Sequence, residues 1–417
     1  MPILRSYRPL KAATLTFAIA LTTIAHTQTL ARPGWAGSGM NAAPWWKHAV
    51  IYQADPRGFG GLHGLASHLD YVHSIGVDAL LLTALVEDAT QPVNPALGTL
   101  EDLDEIVRRA SELNIRVLVD LDPHATDLAA TTRLWLTHGI AGFHLPGSTV
   151  AEIAEFRKSL AGFAGQRIVI GDLASAQEQP NHSADAPQLL TDGRAGTQEK
   201  LTAPSIRPSL EAAQQMADQG PDIPLLFSDG AGLKRSIARY GDGTHDVPIA
   251  RTVATMLLTT RAATMLFYGQ ELGLTDDAKE ISFDQPRKNE QPNPTSVAAG
   301  DSTPASLLNW YRQLSALTHS NRTMSSGAMV TLNHDDQNIL AWVRKPQTVS
   351  LASPAIIVVE NLSAQPATVS LKTDMQKLRL KGSFLRTLMR SDNAMGGMHL
   401  DSITLPPFGV FIGELRY

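Results

Sequence analysis

From residue 45 to residue 273 the chain repeats one pattern: a short run of apolar side chains, a turn, then a longer stretch with apolar positions at helical spacing. Runs of this length, too brief and too continuous to alternate inside and outside, are what a strand buried on both faces requires. They occur at Val50-Ile51-Tyr52-Gln53 and at residues 79–83, 116–121, 142–145, 168–170, 224–227 and 264–268, with Gln188-Leu189-Leu190 as an eighth candidate. Helices fall between them at about 64–74 and from Thr99, whose Asp102 three residues on makes a capping-box spacing. Strands alternating with helices predict parallel βαβ units. Residues 177–221 are rich in Ala, Gln, Pro, Asp and Gly and read as loop with one helix near 209–219.

The pattern changes after residue 276. Asp, Asn, Pro and Lys crowd residues 276–304, which read as a long surface loop, and a helix follows at 305–317. Beyond residue 325, β-favouring runs at 329–332, 339–343, 355–359, 368–371, 384–388 and 410–415 alternate with turn residues. That alternation predicts a small antiparallel β-sandwich, with Trp342 in its core.

A chain of 417 residues has room for an α/β barrel of roughly 250 residues and a second module. The expected division is an export signal at 1–31, a barrel at 45–324 and a β-sandwich domain at 325–417. Arg5, Arg8 and Lys11 precede an uncharged run over residues 12–25, the form of a secretory signal, and that run is shorter than the ~20 strongly apolar residues of a membrane span. The expectation is a periplasmic or extracellular protein with no membrane segment beyond the signal. With no cysteine, thiolate metal sites and disulfides are excluded. A net charge of −5 argues against nucleic acid as a partner.

Trp45-Trp46-Lys47, Val50-Ile51-Tyr52-Gln53, Leu69-Asp70-Tyr71, Val117-Leu118-Val119-Asp120-Leu121, Tyr268-Gly269-Gln270-Glu271-Leu272-Gly273 and Leu405-Pro406-Pro407-Phe408-Gly409 stand in the order in which similar motifs occur in one family. The chain resembles the α-amylase family, glycoside hydrolase family 13. The resemblance implies a TIM-type (β/α)8 barrel with a C-terminal antiparallel β domain. It also implies retaining chemistry with an Asp nucleophile after the fourth strand, a Glu acid/base after the fifth and an Asp after the seventh. The first two carboxyl groups must stand about 5 to 5.5 Å apart across the bond that breaks.

At those places this chain has Pro146, Asp172 and Gly230, with His144 where the family has arginine. Proline has no nucleophilic atom, and loss of a nucleophile lowers turnover in a well-studied hydrolase by about 10⁶, roughly 8 kcal/mol of barrier. The family's calcium site is implied to be built around an Asn after the third strand, where this chain has His124-Ala125, so no cofactor is expected and calcium lacks support. The low aromatic content, 6%, is also spare for stacking sugar rings.

The leading expectation is an exported family member that binds α-glucan or a protein partner without hydrolysing glycosides. Its contact residues would be His124, His144, Asp120 and Glu271. The competing expectation is an active α-glucoside hydrolase with a rearranged site, using Asp172 as acid and Asp122 or Asp229 as base, in an inverting geometry of about 6.5 to 9.5 Å. The plainer alternative is that Asp120 and Glu271 are scaffold residues held by hydrogen bonds and that the others are solvated.

Overall fold

The computed structural model describes residues 44–86, 93–125, 127–160, 162–163, 165–173, 186–219, 223–284, 293–392 and 394–416. The expected export signal at 1–31 lies outside these residues, as does part of the 177–221 stretch. Eight strands close into a parallel barrel: β1 Val50–Ala54, β2 Ala79–Leu82, β3 Arg116–Asp120, β4 Gly142–His144, β5 Ile168–Asp172, β6 Leu189–Asp192, β7 Ile223–Leu226 and β8 Ala263–Phe267. Parallel pairing of β8 with β1, Met265 opposite Ile51, completes the ring.

Both faces of these strands are buried, which is why they lack alternation in the sequence. Ile51, Leu81, Leu118, Ile170, Leu189, Leu225 and Met265 form an apolar cluster of their own inside the barrel, with Trp45 and Trp46 packed against it. The intervening residues, such as Tyr52, Leu80, Val119, Phe143 and Val169, join the larger core shared with the helices. Trp135 belongs to that outer core and is fully buried. Between β3 and its predecessor, the helix Leu100–Glu112 opens with the expected capping box of Thr99 and Asp102.

The 177–221 stretch contains more regular structure than its composition indicates. It holds β6, at the eighth candidate run Gln188-Leu189-Leu190, and a helix at Ala203–Gln219 that starts six residues earlier than the sequence suggests. Likewise the polar 276–304 stretch contains a short helix, Val297–Ser302, capped by Ser296, and the next helix is Leu307–Ser320, capped by Ser306. In both stretches tertiary packing overrides weak local propensity.

After the helix Arg322–Ser326 the chain forms β9 Ala328–Leu332, β10 Ile339–Lys345, β11 Ile356–Asn361, β12 Ala367–Val369, β13 Phe384–Arg390, β14 Met398–His399, β15 Ile403–Leu405 and β16 Val410–Arg416. They make a six-stranded antiparallel sheet in the order β14-β13-β16-β11-β10-β9 and a two-stranded sheet of β12 and β15. The odd-numbered residues of β10 and β11, including Ala341, Val343, Ile357 and Val359, face the core of this C-terminal domain. Leu340, Trp342, Ile356 and Val358 face the other way and join the barrel's helices. Trp342 therefore belongs to the contact between the two parts rather than to the β-domain core expected for it.

Two buried arginines cross that contact in opposite directions. Arg207, on the Ala203–Gln219 helix, donates to the carbonyls of Asn333, His334, Asp336 and Ile339 in the β9–β10 turn. Arg344, at the far end of β10, donates to Thr259 and Thr260 at the C-terminal end of the helix Asp246–Thr259, and to Gly327. Strand β10 is thus fastened to the barrel at both ends, and Arg344 satisfies carbonyls that a helix end leaves open.

On the same barrel-facing side, Glu360 is fully buried with both carboxyl oxygens unpartnered among the described residues. Burial raises its pKa well above the ordinary carboxylate range. The native state thus holds a proton that the unfolded chain releases above about pH 4.5, so stability falls as pH rises from there towards the native pKa. Glu360→Gln removes the ionisation and keeps the shape. Urea unfolding of the two proteins is expected to give similar midpoints near pH 4.5 and a more stable variant at pH 8, with the gap growing by up to about 1.4 kcal/mol per pH unit. Equal pH dependence in both proteins would refute the buried neutral acid.

Candidate functional site

Side chains on a strand alternate between faces, so the inward positions of the barrel can be followed upward from its apolar interior. Two residues above Leu118, Gly142, Ile170 and Leu189 stand Asp120, His144, Asp172 and Thr191. A Cβ at Gly142 would lie 2.6 Å from the Ile168 carbonyl and 3.0 Å from Leu118, so β4 approaches its neighbours there as only glycine allows. These four polar residues form the C-terminal layer of adjacent strands β3 to β6, the end at which barrel enzymes carry their chemistry.

They are joined in one network. Nδ1 of His144 is 2.8 Å from Asp120 Oδ1, and its Nε2 is 3.2 Å from Asp172 Oδ1. The Thr191 hydroxyl donates to Asp172 Oδ1 at 2.6 Å, and the Gly147 amide donates to Oδ2 at 2.9 Å. Burial by itself would lower the His144 pKa, but hydrogen bonds and charge from Asp120 and Asp172 outweigh it and raise the group to about 9. For Asp172, burial acts to raise the pKa and is overcome by donors from His144, Thr191 and Gly147, which hold it well below the usual range. These contacts favour the protonated ring at His144 and the ionised form of Asp172 at neutral pH.

Of the residues singled out in the sequence, the structure brings together Asp120, His144 and Asp172. It does not bring Asp122, His124, Asp229 or Glu271 into that network. Asp122 and His124 are exposed, and the Asp122 carboxyl accepts from the His124 amide within its own loop at 2.9 Å. Asp229 is buried, its oxygens taken by the amide and hydroxyl of Ser236 at 2.5 and 3.0 Å, where the helix Ser236–Tyr240 begins. Glu271 is fully buried behind β1, accepting from Tyr52 at 2.7 Å and from Tyr71. Pro146 is exposed just past β4, and a side chain at Gly230 would meet only Leu233 and Gln53, at 3.7 and 3.9 Å.

Thr191 and the Gly147 amide were not singled out by residue type. The signal for Thr191 was its position two residues after Leu189, legible only once β6 was accepted as a strand. Among the described residues no group of three or more His, Asp or Glu is arranged to hold a metal ion. The exposed His124-Ala125 pair does not fit the calcium site implied for the family.

The paired charges have a definite pH signature. His144 gives stability that is complete below its unfolded pKa near 6.5 and is lost as pH rises through about 9. Asp172 gives stability present above its unfolded pKa near 3.8 and lost as pH falls. His144→Gln is therefore expected to cost about 3 kcal/mol near pH 6, with the loss shrinking towards zero by pH 10, measured by urea unfolding. A cost independent of pH would mean that His144 is neutral in the native protein.

Comparison with known proteins agrees with this architecture. Residues 50–133 match the family model described as "Alpha amylase, catalytic domain". The chain is 25% identical over 348 residues to the amino acid transporter heavy chain SLC3A2 of Oryctolagus cuniculus, covering 72% of this chain and 64% of the relative. It is 38% identical over 95 residues to trehalose-6-phosphate hydrolase of Escherichia coli K12, covering 18% of this chain and 17% of that enzyme. The chain thus spans less than two thirds of the length of either relative. Among solved structures, isomaltulose synthase from Klebsiella sp. LX3 superposes with a TM-score of 0.74 at 16% identity, covering 90% of this chain and 100% of that one. Trehalulose synthase from Pseudomonas mesoacidophila MX-45 gives 0.73 at 17%, with the same coverage. At such identity these two speak for the fold alone. The family match over residues 50–133 and the order of barrel and C-terminal sheets agree with the resemblance to the α-amylase family, glycoside hydrolase family 13.

Proposed function

We propose that this chain is an exported α-amylase-family protein that acts in carbohydrate metabolism by binding α-glucan or a protein partner, without hydrolysing glycosides. The observation that carries the reading is the state of Asp172. It stands where the resemblance puts the acid/base residue, yet the Thr191 hydroxyl, the Gly147 amide and the His144 ring all donate to it and favour its ionised form. A general acid must hold its proton near the working pH, and this carboxyl has none to give. Pro146 supplies no oxygen for attack, so both halves of the double displacement lack their group.

The names of the relatives do not favour this reading over an active enzyme. Matches along 70–72% of this chain carry the name of a transporter heavy chain, whereas those named trehalose-6-phosphate hydrolase cover 18% and 25% of it. A second reading, an active α-glucoside hydrolase with rearranged carboxylates, is favoured by the names of the shorter matches, which include Drosophila virilis maltase 1 and Pediococcus pentosaceus α-glucosidase. It needs a base for Asp172. Asp229 is buried with both oxygens taken by Ser236, and Asp122 stands exposed in its own loop outside the Asp172 network.

The discriminating experiment incubates purified protein with maltooligosaccharides and an aryl α-glucoside, and measures glucan binding by calorimetry with and without calcium. The expected result is binding without turnover, unchanged in Asp172→Asn. Turnover abolished by that substitution would establish the second reading, and absence of both turnover and glucan binding would leave the protein partner as the ligand.

A further inference from the structure

A cavity of about 990 Å³ lies beside the barrel mouth, away from the strand-end network: Asp120, His144 and Asp172 do not line it. It is bounded by the helix Ser236–Tyr240, the start of Asp246–Thr259, the turn Gln270–Leu272 and the facing ends of Val297–Ser302 and Leu307–Ser320. The space exists because small residues meet there, including Ala238, Gly241, Gly273, Ala298 and Ala299. Its volume is at the upper end of the ~300 to 1,000 Å³ common for small-molecule sites.

The lining chemistry narrows the occupant. Ile237, Val247, Leu272 and Leu307 make an apolar wall, and Val247 is 43% exposed, one of few large apolar side chains left open to solvent. Among the described residues no lysine or arginine lines the cavity, so none of them would neutralise a carboxylate or phosphate. Among the same residues no tryptophan, tyrosine or phenylalanine lines it, so they offer no stacking face for a sugar ring. Two acids line it: Glu271, fully buried with Oε1 accepting from Tyr52 and Tyr71 and Oε2 unpartnered among the described residues, and Asp246, half-buried and nearer the solvent-exposed Val247. Oδ1 of Asp246 accepts from the Gly243 amide at 2.8 Å, and Oδ2 has no hydrogen-bond partner among the described residues. Asp246 also opens its helix, whose N-terminal amides partly offset its charge. A hydrogen-bond donor suits that oxygen better than a full cation.

We propose that this cavity binds a neutral, largely apolar small molecule carrying a hydroxyl group, which donates to Asp246. The site is separate from the strand ends and independent of whether they hold glucan. Saturation-transfer NMR on the full chain tests it with hexan-1-ol, sodium hexanoate and maltose as probes. Hexan-1-ol is expected to receive saturation, hexanoate and maltose to receive none from this site, and maltose to leave the alcohol signal unchanged. Ala299→Phe fills the space and is expected to abolish the signal while leaving the urea midpoint unchanged. Asp246→Ala is expected to weaken the alcohol about tenfold. No transfer to hexan-1-ol, equal transfer to hexanoate, displacement by maltose, or an unchanged signal in Ala299→Phe would each overturn the assignment.

Discussion

A single protonated histidine governs the open end of this barrel. His144 sits between Asp120 and Asp172 with both ring nitrogens used, and the three charges satisfy one another in a place where an unpaired carboxylate would be costly. Strands β3, β4 and β5 are joined at their tips by the same contact. The chemistry available there follows from it. A carboxylate saturated by Thr191, Gly147 and an imidazolium is a good structural anchor and a poor proton donor.

Strand β10 ties the rest of the molecule to that frame. Its inner face completes the C-terminal core, its outer face covers barrel helices, and arginines at its two ends reach backbone carbonyls across the contact. Backbone acceptors at a turn and at a helix end need donors when buried, and guanidinium groups supply several at once. Glu360 is the exception on this surface, a buried acid kept neutral by its apolar surroundings. Such a group makes the seating of the C-terminal sheets sensitive to alkaline pH.

Much of the architecture was legible because both faces of a barrel strand are apolar, so Val50-Ile51-Tyr52 or Val117-Leu118-Val119 identifies itself without neighbours. The weaker strand β6 and the helix that starts at Ala203 were harder to see, since Gly, Pro and Asp around them signal turns and the compensating contacts are remote in sequence. At the site, it was plain from residue type that Pro146 and Gly230 carry no carboxylate. The partner of each remaining acid was not. Asp229 and Asp172 look alike in sequence, yet one serves a helix start and the other an ion network.

By itself, the sequence determined the fold class, the order of strands and helices, and the lack of a nucleophilic atom at residue 146, because each rests on local apolar spacing or on the identity of one side chain. Only the tertiary structure decided the protonation of His144 and Asp172, the isolation of Asp122, His124, Asp229 and Glu271, and the cavity near Asp246. Those depend on distances between residues far apart in the chain and on exclusion of water around them, and neither quantity exists until the barrel closes.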